Sequence, residues 1–97
     1  MRQSHRSVEP TTAFRRDFKR ESKGAHRGRL DALLRPVLTA LASDDPLPPA
    51  NRDQPLSGAW SDCRECHIRG DLLLVYRKPD PQTLQLIRLG SHSDLFG

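Results

Sequence analysis

The chain has 97 residues, of which 35% are hydrophobic and 29% charged, and it carries a net charge of +4 with a pI near 9.7. That length supports one domain, residues 1–97, with a modest core, and that balance excludes an intrinsically disordered chain. No apolar run approaches a membrane span, and Met1-Arg2-Gln3-Ser4-His5-Arg6 leads into no apolar signal segment, so a cytoplasmic protein is expected.

From Ser4 to Glu9 the chain could form a short strand, ended by Pro10. The pattern from Thr11 to about Lys23 is helical, with Phe14 and Phe18 one turn apart. Gly24 and Gly28 flank a loop. Leu30, Leu33, Leu34, Val37, Leu38 and Leu41 then follow the spacing of one buried helical stripe. Pro36 removes a backbone donor inside it, which predicts a kink near Ala32 to Pro36. Leu47 to Gly58 is rich in proline and reads as an ordered loop with little regular structure.

Three strands follow: Trp60 to Ile68, Leu72 to Lys78, and Thr83 to Leu89. Connections as short as Arg69-Gly70-Asp71 and Pro79-Asp80-Pro81-Gln82 imply antiparallel hairpins. The expected fold class is α+β, two N-terminal helices packed on one face of a small antiparallel β-sheet.

Basic residues crowd the first third: Arg15, Arg16, Lys19, Arg20, Lys23, Arg27 and Arg29. Such crowding favours a polyanionic partner, nucleic acid or an acidic protein, over a merely solvated helix face. Cys63-Arg64-Glu65-Cys66-His67 spells the c-type haem attachment string. Haem is rejected, because attachment needs export and Met1 is the sole methionine. Zinc lacks a second Cys/His pair, so no metal or other cofactor is expected. Cys66 reads as a small core residue.

Polar chemistry concentrates in the second half. Strand alternation puts Glu65 and His67 on one face, and Trp60, Cys66 and Ile68 on the other. The apolar side should face the helices, leaving Glu65 and His67 on the open side. His92 follows the last strand, where it could meet His67 above that face. Phe96, close to the terminus, either plugs the core or offers a plate on which a base stacks. Arg64, Arg77 and Arg88 lie on or at the edges of strands, and guanidinium groups bind phosphate through paired hydrogen bonds.

The strings Asp53-Gln54-Pro55-Leu56-Ser57-Gly58, Trp60, Arg64-Glu65-Cys66-His67, Asp71 to Arg77, and Arg88 to Gly97 resemble, in joint order and spacing, the YafQ branch of the RelE/ParE toxin superfamily. The second half matches closely and the first half in layout. The resemblance implies a toxin of a toxin–antitoxin pair, a small ribonuclease that enters the ribosomal A site and cuts mRNA there. It implies catalytic positions at His67 and His92, acidic positions at Asp71 and Glu65, and the aromatic position at Phe96. It also implies an acidic antitoxin, a small DNA-binding protein, wrapped over the basic helices. Gln54 stands where the family tends to carry a histidine. Glutamine hydrogen-bonds but transfers no proton at neutral pH, which implies a weaker enzyme.

The corresponding chemistry needs no metal. A base takes the proton of a ribose 2′-OH, the oxygen attacks the adjacent phosphorus, and the leaving 5′-oxygen is protonated. Histidine suits both transfers because its pKa lies near neutrality. Two competing readings remain: a non-enzymatic ParE-like gyrase inhibitor on the same scaffold, and an RNA- or protein-binding module with incidental histidines.

Overall fold

The computed structural model describes residues 5–97; the expected strand start at Ser4 lies outside them. The order is β1 (Ser7–Pro10), α1 (Thr12–Ser22), α2 (Leu30–Ala42), β2 (Gln54–Pro55), β3 (Arg64–Arg69), β4 (Leu72–Arg77), β5 (Thr83–Gly90) and α3 (His92–Phe96). Short 3₁₀ turns at Pro49–Asn51 and Gly58–Trp60 flank β2. No described helix is long and apolar enough to cross a membrane.

The sheet runs β1-β5-β4-β3-β2. β2 to β5 pair antiparallel, as the short hairpins require, but β1 pairs parallel to β5. The sheet is therefore mixed rather than antiparallel. Hairpin length constrains only consecutive strands, and two helices intervene between β1 and β2. Arg6 fixes β1 in place: its amide donates to Ala42 O at 2.8 Å and its Nε to Asp44 Oδ1 at 2.8 Å, while Nη1 bonds Asp80 O.

Thr11 caps α1, its side chain accepting from Phe14 N. The α2 stripe buries Leu30, Leu34, Val37 and Leu41, and the helix runs through Pro36. Both helices cover one face of the sheet, where Phe14, Cys66, Leu72, Leu74, Tyr76, Leu84, Leu86 and Leu89 form the main core. A second, smaller cluster on the opposite face joins Cys63, Leu73, Val75 and Leu95 with Leu56, Trp60, Ile87 and Phe96. Trp60 is thus on the face opposite Cys66, contrary to simple alternation. The strand begins at Arg64 and Trp60 sits in the preceding 3₁₀ turn, so the period of two never reaches it.

Bulges reset the alternation twice. Val75 pairs with Arg88 but Tyr76 with Leu86, which leaves Ile87 as the extra residue. Leu86 and Leu89 therefore both reach the main core while Ile87 reaches the second cluster. Thr11 Oγ1 satisfies the Ile87 carbonyl at 2.9 Å. A second irregularity lies between His67 and Arg69.

Tyr76 is 2% exposed and donates its hydroxyl hydrogen to Asp53 Oδ1 at 2.6 Å. Burial first, then this bond, pushes the Tyr76 pKa up. The same carboxylate accepts from Arg64 Nε at 3.1 Å. Tyr76→Phe is expected to destabilise the fold by about 1–2 kcal/mol, the loss of one hydrogen bond to a charged acceptor. A thermal melt followed by circular dichroism should show a Tm several degrees lower.

Candidate active site

Two rows of residues cross the sheet on the face opposite α1 and α2. One runs Gln54–Glu65–Val75–Arg88 and the other His67–Leu73–Gly90. His67 and Gly90 are two strands apart, roughly 10 Å. His92 begins α3 two residues after Gly90, so His67 and His92 stand at the same end of the sheet, on either side of Leu73.

β2 is an edge strand, which tolerates the missing amide of Pro55, and it brings Gln54 beside Glu65. Gln54 Nε2 donates to Glu65 Oε2 at 2.6 Å. Glu65 is 4% exposed, not open to solvent as strand parity suggests, and its Oε1 has no hydrogen-bond partner. The loop and β2 cover it, which the proline-rich stretch did not advertise. His67 is half-buried, and Asn51 Nδ2 fixes its backbone by donating to His67 O at 2.7 Å.

The residues after β5 form α3 (His92–Phe96). Ser91 caps it, accepting from Asp94 N at 3.1 Å, while Asp94 Oδ2 accepts from Ser91 N at 3.3 Å. Ser91-His92-Ser93-Asp94 is the sequence signal of such a capping box. His92 is exposed at the first helical position. Its ring centroid lies 5.0 Å from that of Phe96, and Phe96 meets Trp60 edge-on at 5.6 Å. Phe96 is half-buried: one side joins the second cluster, and His92 lies across another.

The three arginines singled out for phosphate are each engaged within the protein. Arg64 is displaced by an odd number of residues from His67, faces the helix side and pairs with Asp53. Arg77 shares the open face but lies four residues beyond Leu73, roughly 13 Å along the strand. It bonds Gln85 at 2.6 Å and Asp62 at 2.7 Å. Arg88 bonds Asp17 at 2.6 Å and 3.1 Å. Asp71 is exposed in the β3–β4 turn, beside Gly70 at φ 57°. Arg52 and Arg69 are exposed near β2 and the end of β3, without an ion pair among the described residues.

Cys63 and Cys66 are both free and belong to different clusters. Burial pushes the Cys66 thiol to about 12, as suits a core residue. Among the described residues, no three of His, Cys, Asp and Glu gather as a metal-ligand group.

The family model described as "Bacterial toxin of type II toxin-antitoxin system, YafQ" matches residues 6–97. The mRNA interferase toxin YafQ of Escherichia coli K12 is 32% identical over 93 residues, covering 95% of this chain and 97% of that one. A metal-bound toxin from Helicobacter pylori superposes with a TM-score of 0.82 at 45% identity, covering 93% of this chain and 98% of that one. A chain of the Escherichia coli DinJ–YafQ toxin–antitoxin complex superposes with a TM-score of 0.81 at 32% identity, covering 96% and 99%.

Glu65 costs stability, since a buried carboxylate oxygen without a donor forfeits its hydration. Glu65→Leu is therefore expected to leave the Tm unchanged or to raise it, by up to about 2 kcal/mol of stability. Gln54 is exposed and regains water when its partner goes. Thermal melts of the two proteins decide this; a large loss of stability would assign Glu65 to the architecture instead.

Proposed function

The chain belongs to the YafQ family of type II toxin–antitoxin toxins, and from that premise we propose that it is a ribosome-dependent endoribonuclease that cleaves mRNA in the A site. The observation that carries this reading is the pair His67 and His92 at one end of the open face, with Leu73 as a dry floor between them. Carried on β3 and on the start of α3, the two imidazoles would flank one phosphodiester as base and acid. One histidine takes the 2′-OH proton, and that oxygen attacks the phosphorus. The other histidine protonates the leaving 5′-oxygen, giving a 2′,3′-cyclic phosphate and a 5′-OH end. Phe96 stacks on a base beside His92 and holds the in-line geometry. Gln54 and Glu65 line the approach to His67, and Asp71 tunes the charge at the turn.

Apart from Arg52 and Arg69, the exposed positive charge lies outside the chemical centre. Arg15, Arg16, Lys19, Lys23, Arg27 and Arg29 are exposed on α1 and the loop after it. Such a surface suits ribosomal RNA and, in the resting cell, an acidic antitoxin that also binds DNA. YafQ of Escherichia coli forms a complex with DinJ; a cognate partner of that kind is proposed for this chain, with the cytoplasm as its compartment.

His92→Ala and His67→Ala are expected to lower single-turnover cleavage on programmed ribosomes by about 10²–10⁴-fold while leaving the fold intact. Unchanged rates in both variants, with DNA gyrase stalled instead of translation, would give the ParE-like reading the field. The histidine pair supplies both proton transfers, so a chelator should leave the rate unaltered. Loss in EDTA, restored by a divalent ion, would assign the chemistry to a metal.

Gln54→His is expected to raise the rate of the chemical step and to add a pH dependence near the histidine pKa of about 6.5. Single-turnover rates across pH at saturating ribosome compare the two proteins. Superimposable profiles would leave position 54 without a role in catalysis.

A further inference from the structure

Asp17, on α1, is 3% exposed and accepts four hydrogen bonds. They come from Arg20 Nη1 at 2.9 Å, Arg88 Nε at 2.6 Å, Arg88 Nη2 at 3.1 Å and the Leu89 amide at 3.0 Å. Burial pushes the Asp17 pKa up, but the bonds from Arg88, Leu89 and Arg20 outweigh it and hold the carboxyl below its ordinary value. The group is charged at neutral pH.

Arg20 uses its other arm on the end of the sheet. Its Nη2 donates to Leu89 O at 2.9 Å and lies 4.0 Å from Asp94 Oδ2. Gly90 sits beneath it: a Cβ there would meet Arg20 Nη2 at 2.8 Å, Leu95 at 3.2 Å and Asp94 at 3.3 Å. The guanidinium, half exposed and also bonded to Glu21 Oε2 at 3.1 Å, therefore lies over the last residues of β5 beside the first turn of α3. Asp94 is also the residue that closes the capping box on Ser91, immediately before His92.

A five-residue helix does not hold itself together in water. α3 depends on outside anchors: Leu95 and Phe96 on its apolar side, and Arg20 on its polar side. We propose that Asp17 and Arg20 are positioning residues for His92, the buried carboxylate locking the arginine fork that sets where α3 starts and hence where the imidazole points. This inference rests on the proposed role of His92 in proton transfer. An ion cluster of this kind is an expensive way to join a helix to a strand, because a well-packed apolar pair would do so at no desolvation cost. What it adds is directional: planar, forked bonds fix orientation where apolar contact does not.

Asp17→Asn removes a buried charge and risks the fold, so the test variant is Arg20→Lys, which keeps the charge that attracts RNA but loses the fork. The expected result is a single-turnover rate about tenfold to a hundredfold lower at unchanged ribosome affinity. Adding Arg20→Lys to His92→Ala should cost nothing more, because the first acts through the second. The ring resonances of His92 in the free protein should also shift, and Gly90→Ala, which displaces Arg20 from the other side, should shift them too. Full additivity with His92→Ala, or lower thermal stability at an unaltered rate, would overturn the proposal. So would unmoved ring resonances in both variants. If His92→Ala itself cleaves normally, the acid–base reading fails, and the ring resonances alone then decide whether the clamp positions the imidazole.

Discussion

β4 is sealed on both faces, and most of the molecule follows from that constraint. Leu72 to Tyr76 are all buried, so a sheet that simple alternation gives one open side has to be covered twice. Two helices cover one face with the main core. Too little chain is left for a second layer of helices. The other face is closed by the 3₁₀ turn that carries Trp60, by Leu56 and by the short α3. The candidate site is therefore assembled from covering elements rather than added to a finished scaffold. Phe96 is the clearest case, since it packs edge-on against Trp60 while His92 lies across it. Any motion of its ring loosens the second cluster.

Charge is divided between two tasks. In the second half, three arginines are used internally, Arg64 on Asp53, Arg77 on Asp62 and Arg88 on Asp17, while Arg52 and Arg69 stay exposed. The net +4 is expressed by α1 and the loop after it. A field spread over a helix face draws in a polyanion at long range and is screened by salt. Proton transfer needs groups held to a fraction of an ångström, which long solvated side chains do not provide. The basic residues lie on α1 and the loop after it, and His67 and His92 on β3 and α3.

What the sequence revealed divides along physical lines. The α2 stripe and the β3–β4–β5 hairpins depend on local periodicity and turn chemistry, and both were legible. His67 and His92 at a common sheet end followed from those hairpins. The parallel pairing of β1 was not legible, because its partner begins at Thr83, far along the chain. The partners of the arginines were hidden for the same reason: Arg88 and Asp17 are 71 residues apart. Asp17 itself looks like any acidic residue in a basic helix. The burial of Glu65 was missed because parity assigns a face but not what covers it. The capping box of α3 is written in Ser91 and Asp94, but a seven-residue tail is too short for helical periodicity to mark it.

Gln54 and Glu65 join the edge strand β2 to β3 through a side-chain contact whose direction is fixed by chemistry. A carboxylate only accepts hydrogen bonds, so the 2.6 Å contact with Glu65 forces the Gln54 amide to turn its nitrogen inward. Its carbonyl oxygen then faces away from Glu65 as a fixed acceptor. A histidine in the same place would donate one ring N–H to Glu65 and leave the other nitrogen outward, free to take a proton. Both side chains can donate to the same buried carboxylate. The partner is the informative member of the pair. Glu65 loses its hydration and leaves Oε1 without a donor, a cost that apolar packing at that position would avoid. What holds it there is an amide donor from the edge strand β2, so the position of Gln54 and the burial of Glu65 depend on each other.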